Sequence, residues 1–526
     1  MQRRTFLASA AAASLAAPSL ARAAGSSVLR FVPYVDLAVL DPVTNTNAIT
    51  RTHSFLVFDS LFGVDEQMQV QNQMAEGVVS DPDSKDWTIT LREGLRFHDG
   101  SPVLGRDVVA SIKRWGARDV FAMSLMEVVD EISAPTDRTV RFRLKSSFRL
   151  LPDALGKLSP NMPAIMPERL AAHTDPFKAV PELIGSGPFR FVASERVPGA
   201  RVVYEKFHGY VPRPSGRPSL TAGPKVVKLD RVEWLTMPET ATAVAALQSG
   251  EVDWLETPPP DLLPVLRKDK RIKIAVHDST GQVAILRFNC LIAPFDNQAL
   301  RRAVLRAVDQ TEFMSAYSTD PSLWRVPMGL FPVETPMASK AGMDGLFGKT
   351  DIARAQAEVA ASGYKGERVV IMSPTDHPVN GPMANVAADL FKRIGLNVDQ
   401  QAMDSGTMFQ RRNSKLGLDK GGWNVFPSAI NGLGQLNPAD SFLARGNGEK
   451  AWYGWPTSPR TEMLHAAYLQ AATEAERKKI CADLQVVALE EAPSIPLGQV
   501  VSPTAYRSAL QGVSNGFPRF WGVSKD

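Results

Sequence analysis

The side chains with the clearest chemical use in this chain are two neighbouring arginines, Arg411 and Arg412, which follow Met408-Phe409-Gln410. A guanidinium in a cleft grips a carboxylate through two parallel hydrogen bonds. On a solvated helix face the same residues bind nothing. Trp452, Tyr453 and Trp455 surround Gly454 and form an aromatic cluster, which stacks on a ligand ring or packs under a loop. Covalent chemistry has little to work with. His-Glu-x-x-His and the phosphate-cradling Gly-x-x-x-x-Gly-Lys-Ser/Thr loop are both absent, and Gly185-Ser186-Gly187 fails the spacing of a nucleophile elbow. The histidines, at 53, 98, 173, 208, 277, 377 and 465, include no pair at metal-ligand spacing. Cys290 and Cys481 sit in apolar surroundings and read as buried free thiols. Non-covalent binding of a solute, with no cofactor and no metal site, is the expected chemistry.

Such a site needs elements to hold it, and the first element is expected to leave. Gln2-Arg3-Arg4-Thr5-Phe6-Leu7 opens the chain, an Ala/Ser/Leu run reaches Leu20, and Ala21-Arg22-Ala23 follows. A charged start, a short apolar run and small residues at a cleavage site make an export signal. The arginine pair before Phe-Leu resembles the twin-arginine type, with an ordinary secretory signal as the alternative. The signal is expected to span 1–23, with cleavage near Ala23/Ala24 and a periplasmic product. No cysteine follows it, so no lipid anchor is expected. About 500 residues remain, too many for one core, so two or three compact units are expected. Hydrophobic residues at 44% and charged residues at 22% suit a water-soluble globular protein. The net charge of +4 falls to +1 once Arg3, Arg4 and Arg22 leave, which gives no support to a nucleic-acid partner. A monomer is expected.

Strand and helix patterns alternate along the chain. Trp87 to Leu91 and Thr139 to Leu144 alternate apolar and polar residues as half-buried strands do. Asp99-Gly100 marks a turn, and Asp107 is placed to cap a helix through Val108, Ile112 and Trp115. A helix from Pro238 to Ser249 should end at Gly250, before a short strand Val252-Asp253-Trp254. Asp296 or Asn297 should cap a helix carrying Leu300, Ala303, Val304, Ala307 and Val308 on one face. A strand at Val369 to Met372, a helix with Met383, Ala387, Leu390 and Phe391 inward, and a strand from Leu396 to Val398 predict a parallel sheet.

Five blocks, in order, carry a family resemblance. They are Leu91-Arg92-Glu93-Gly94-Leu95-Arg96-Phe97-His98-Asp99-Gly100 with Asp107-Val108; Gly185-Ser186-Gly187-Pro188-Phe189; Ala246 to Asp253; Asn289 with Pro294-Phe295-Asp296 and Arg301 to Val304; and Ile495-Pro496-Leu497. With them the chain resembles the extracytoplasmic solute-binding proteins of ABC importers, in the peptide/nickel class of dipeptide- and oligopeptide-binding proteins. The resemblance implies an α/β, two-lobe periplasmic binding protein fold with a hinge and an extra subdomain in the first lobe. Lobe I is expected over 24–280, with the subdomain at about 49–184. Lobe II is expected over 281–498, and 499–526 should return to lobe I. The implied function is capture of a small solute, a peptide or peptide-like conjugate, for an ABC-type permease in the inner membrane. Open alternatives are a non-peptide ligand (an opine, a sugar derivative or a metal chelate) and an exported enzyme on the same scaffold.

The resemblance also nominates a cleft. Its Gly-Trp region corresponds to Trp423-Asn424-Val425-Phe426, and its early cleft edge to Asp41 through Asn47, with Thr44, Asn45 and Asn47 facing the ligand. Arg287 beside Asn289 falls at the expected crossover, and Gln499 just beyond Gly498 is a further candidate. Relatives that bind free dipeptides place a carboxylate soon after the Gly-Trp region, whereas 424–432 has none. Recognition of an α-amine is therefore not expected, unless an acid such as Asp41 or Asp404 takes over. The export reading is tested by changing Arg3 and Arg4 together to Lys. The mature protein should begin near Ala24 in the periplasm, and the double variant should stay in the cytoplasm; normal export of the variant leaves only a general secretory signal.

Overall fold

The computed structural model describes residues 27–525, so the export signal lies outside it. Two sheets organise the chain. The first has seven strands, ordered Ile272–Ala275, Thr504–Arg507, Trp254–Leu255, Val28–Val32, Arg231–Leu235, Arg201–Lys206 and Phe189–Phe191. Val28–Val32 sits between two parallel neighbours, Arg231–Leu235 and Trp254–Leu255. The second sheet has six strands, ordered Trp324–Arg325, Ser494–Val500, Gln282–Phe288, Val425–Asn431, Arg368–Pro374 and Asn397–Met403. A four-stranded antiparallel sheet, Ala75–Ser80, Asp86–Leu91, Thr139–Leu144 and Val129–Thr136, forms the extra subdomain with helix Gly105–Gly116. This is the two-lobe fold that the resemblance implies.

The chain leaves the first sheet after Ala275, enters the second at Gln282, and returns between Val500 and Thr504. Gln499 and Val500 still pair within the second sheet, so the return begins after Val500 and not at 499. Helix Ala48–Val57 packs its Ile49, Phe55 and Leu56 into the core of the seven-stranded sheet, although the sequence reading assigns it to the subdomain.

Local patterns explain most elements. Asn397–Met403 pairs parallel with Arg368–Pro374 across helix Asn380–Arg393, the strand-helix-strand unit that the sequence predicts. Asn297 caps its helix by accepting the Ala299 N–H at 2.9 Å. Gly250 ends the helix Thr240–Ser249 in the left-handed conformation at φ 84°, which glycine adopts without a Cβ penalty. Asp107 is not the cap itself. The helix starts two residues earlier, and the Asp107 carboxylate reaches back to accept the Leu104 N–H at 2.8 Å.

Several buried charges are paired. Arg114 meets Asp41 at 2.9 Å with both side chains 1% exposed, and Lys225 meets Asp59 at 2.6 Å with both fully buried. One cluster joins the lobes. Lys157 and Asp119 of lobe I pair with each other, and Asp440, which follows the second sheet's Val425–Asn431, reaches Lys157 at 2.8 Å and Ser159 Oγ at 2.8 Å.

Gly185-Ser186-Gly187 is a packing device. A Cβ on Gly185 would lie 1.9 Å from the carbonyl oxygen of Val57, and one on Gly187 would lie 2.6 Å from that of Leu56. The turn thus lets the chain lie against the end of helix Ala48–Val57. Gly185→Ala forces the helix off the core and should cost about 2 kcal/mol or more, a fall of a few degrees in Tm by scanning calorimetry. An unchanged Tm would contradict the close approach.

Candidate functional site

In open α/β sheets, ligands bind outside the carboxyl ends of the strands, where the connections diverge. Val28–Val32 ends beside Trp254–Leu255, and the residues that follow these two strands stand together. The Tyr34 N–H donates to Glu256 Oε2 at 3.0 Å, and the Glu256 N–H donates to the Val32 carbonyl at 3.0 Å. Tyr34 and Val35 are 42% and 44% exposed, unusual for large side chains next to a core strand. Burial raises Glu256 to about 7.

Helix Ala48–Val57 forms the adjoining wall. Asn45 and Asn47 lie at its entrance, where Asn45 Oδ1 accepts the Asn47 N–H at 2.7 Å, and Thr44 Oγ1 turns back to the Asp41 carbonyl at 3.4 Å. One turn into the helix, Arg51 Nη1 donates to Asn431 Oδ1 at 2.7 Å. That bond crosses between lobes, because Asn431 ends a strand of the second sheet. Arg51 also lies over the Phe517 ring, 4.3 Å from its centroid. Asp278, in the first crossing segment, holds the Thr280 N–H at 2.9 Å and the Thr280 hydroxyl at 2.5 Å. Tyr34, Arg51, Glu256, Asp278 and Asn431 thus form a polar floor where the two lobes meet.

Strand direction decides the other candidates. Gln282 pairs with Asn431 at the crossing end of the second sheet, and Phe288 pairs with Val425 at the other end. Six residues of strand put the two ends roughly 20 Å apart. Trp423, Asn424, Phe426, Arg287 and Asn289 therefore lie far from the floor, and all five are fully buried. Trp423 packs with Met372, Met408, Phe426 and Trp455. The Asn424 amide accepts from Val370 N–H and donates to the Ala293 carbonyl, both at 2.9 Å. Asn289 Nδ2 donates to the Trp423 carbonyl at 3.0 Å. Arg287 donates to the Tyr453 carbonyl at 2.6 Å and to Ser494 Oγ at 2.7 Å, and burial lowers it to about 10. In this structure these side chains are engaged with their own chain, away from the floor.

Arg411 is likewise occupied, donating to the carbonyls of Gly421 and Gly422 and to Gln401 Oε1. Gln499, 1% exposed, accepts the Val333 N–H and donates to the Ser279 carbonyl, tying lobe II to the crossing segment. Arg412 and Trp452 keep part of their surface. Arg412 lies 4.3 Å from the Tyr453 centroid, and Trp452 stacks on Phe442 at 4.6 Å. They form a half-exposed aromatic and cationic patch on lobe II.

Acids that the sequence offered for an amine are engaged elsewhere: Asp41 by Arg114, and Asp404 as the cap of helix Ser405–Arg411. Glu256 and Asp278 supply the carboxylates at the floor. Their signal in the sequence was faint, a glutamate at the end of a two-residue strand and an aspartate in a connection. Arg51 was more visible, a lone arginine within the run Ala48–Val57. Gly512-Val513-Ser514-Asn515-Gly516 does match the letters of a nucleophile elbow. It lies in an irregular loop without the strand-to-helix turn, and Ser514 Oγ accepts from Arg519 Nη2 at 2.5 Å.

The family model for bacterial extracellular solute-binding proteins, family 5, matches residues 69–452. The chain belongs to that family. It is 35% identical over 523 residues to a probable peptide ABC transporter periplasmic-binding protein, y4tO, of Sinorhizobium fredii, covering 98% of this chain and 97% of that one. It is 25% identical to the glutathione-binding protein GsiB of Pectobacterium atrosepticum, covering 90% and 88% of the two chains. Among solved structures, AgaA of Agrobacterium tumefaciens R10 in complex with agropinic acid matches at TM-score 0.79 with 20% identity, covering 95% of this chain and 99% of that one. Helicobacter pylori DppA with the peptide STSA matches at TM-score 0.79 with 19% identity, covering 95% and 98%. The two solved structures establish the shared fold.

Glu256 gives a prediction with a definite sign. Its ordinary value is 4.5 and its folded value about 7. Between these values the folded protein holds the extra proton, so stability falls as pH rises through that window. Glu256→Gln removes the penalty. The ligand-free variant should be more stable than wild type at pH 8 by on the order of 2 kcal/mol and equal to it at pH 4, measured by denaturant unfolding at both values. Equal stability at pH 8 would mean that Glu256 titrates as a solvated carboxylate.

Proposed function

We propose that this protein is an exported receptor, not an enzyme, that closes its two lobes over a small solute and delivers it to the permease of an ABC importer. The observation that carries the reading is the floor itself. Polar groups from both lobes and from a crossing segment converge at the carboxyl ends of parallel strands, within a chain of solute-binding family 5. The solute is a peptide or a peptide-like organic conjugate. Relatives named for a peptide, for glutathione and for agropinic acid share this family or fold, and all three compounds are small and polar. Arg412 and Trp452 offer a second contact on lobe II.

The place of action is the periplasm, after cleavage near Ala23. The +1 charge of the mature chain supports no nucleic-acid partner, and a monomer is the working form. No helix among the described residues is long and apolar enough to cross a membrane.

Closure is measurable. At a hundredfold excess over Kd a bound solute stabilises the protein by about 2.7 kcal/mol, at least a degree or two in Tm for a chain of this size. A panel of short peptides, glutathione and opine-type acids should contain compounds that raise Tm, return chemically unchanged, and reduce the radius of gyration in small-angle scattering. A ligand confirmed at saturation that leaves both quantities unchanged would rule out a closing receptor, and a transformed ligand would make it an enzyme.

A further inference from the structure

We propose that the solute carries an anionic group, a carboxylate or similar oxyanion, which docks on Arg51 between the lobes, with Arg519 behind the Phe517 ring as a second positive charge. The inference rests on the receptor reading and names the chemistry that its floor selects.

Arg51 is 3% exposed and, among the described residues, has no carboxylate within ion-pair distance. Its Nη1 bonds Asn431, while its Nε has no partner. Arg519, also 3% exposed, donates through Nη2 to Ser514 Oγ and the Asn515 carbonyl, and its Nε and Nη1 have none. Both guanidinium groups face one ring, Phe517, at 4.3 and 5.7 Å. Burial lowers both arginines: at Arg51 it acts against Asp278, Tyr34 and Glu256, and at Arg519 burial, with Arg51 and against Glu66, holds the group to about 10.

Most other buried cations are better satisfied, although the Arg114 Nε also lacks a partner and Arg287 spends its donors on carbonyls and the Ser494 hydroxyl. Arg114, Lys157 and Lys225 each meet a carboxylate. Arg301 is 8% exposed and donates to the carbonyls of Phe295, Asp296 and Glu491, with no donor left over. A buried charge without a counter-charge is costly, and folded proteins pair such groups. At Arg51 the unpartnered Nε belongs to the guanidinium whose Nη1 reaches the other lobe at Asn431. Asp278 and Glu256 are the nearest acids, but Asp278 is engaged by Thr280, and Glu256 is pushed toward its neutral form. A further donor without a partner, Gln435 Nε2, lies in the turn just beyond Asn431. A solute carboxylate would satisfy the Arg51 Nε, held bidentately through Nε and Nη2 while Nη1 keeps its bond to Asn431.

Two measurements separate a ligand anchor from a structural post. The first needs no ligand. In protein stripped of solute by denaturant and refolded, Arg51→Met should melt no lower than wild type, because an unpaired buried cation is removed. A fall of about 3 °C or more would show that Arg51 holds the lobes through Asn431 and would overturn the proposal; Arg51→Gln serves if the Met variant does not fold. The second uses di- to tetrapeptides as free acids and as C-terminal amides, together with N-carboxyalkyl amino acids and their esters. Compounds that bind wild type should do so as acids only, and their affinity should fall about thirtyfold or more in the Arg51 variant. A compound that binds equally as acid and neutral form overturns the anion inference and leaves the receptor reading standing. A panel in which neither form shifts wild type overturns the receptor reading for this solute class, and the inference with it.

Discussion

The site depends on one constraint: the chain crosses between two separate sheets more than once and must keep both in register. The first crossing leaves Ala275 and reaches Gln282, and the second leaves Val500 and reaches Thr504. Backbone bonds hold the crossings to the second sheet, with Gly432 N–H donating to the Gly281 carbonyl at 2.8 Å. A Cβ on Gly432 would lie 2.2 Å from the Thr280 carbonyl oxygen, so the contact admits only glycine without rearrangement. Because these segments are short, the carboxyl ends of the first sheet's parallel strands and the Asn431 end of the second are brought to one place. The floor follows from that geometry more than from any single side chain.

The sequence was legible where local chemistry decides structure. Caps, glycine stops and alternating strands marked Asp86–Leu91, Gln298–Ala307, Arg368–Pro374 and Asn380–Arg393 closely, since a helix or strand of that length carries its own pattern. The site was legible only in part. Asn45, Asn47 and their neighbours, nominated from the sequence, lead into the helix that presents Arg51. The places of Trp423 and Arg287 were not legible, because residue type says nothing about strand direction. A tryptophan beside a glycine looks the same at either end of a sheet, and the end is set by which strands pair, here Val425 with Phe288 and Asn431 with Gln282. Glu256 was invisible for a related reason: it follows a strand only two residues long, which is held between Val28–Val32 and Thr504–Arg507.

Charge burial separates the two kinds of work in this molecule. Pairs such as Asp41 with Arg114 and Asp59 with Lys225 are sealed and serve the fold; removing one partner would strand the other. The donors at Arg51 and Arg519 are buried and left incomplete. Binding sites commonly sacrifice stability in this way, because a group already satisfied by its own protein has nothing to offer a ligand.

The cluster of Lys157, Asp119 and Asp440 bears on residence time. Asp440 reaches its partners across the lobe interface, beside the turn that carries Gly434 and Gln435. Parting the lobes leaves Lys157 and Asp119 as a neutral pair and sends Asp440 back to water. This contribution to closure is the same whichever solute is inside. On the receptor reading the labour is divided: the floor faces the solute, while the cluster adds one contact between the lobes that does not vary with it.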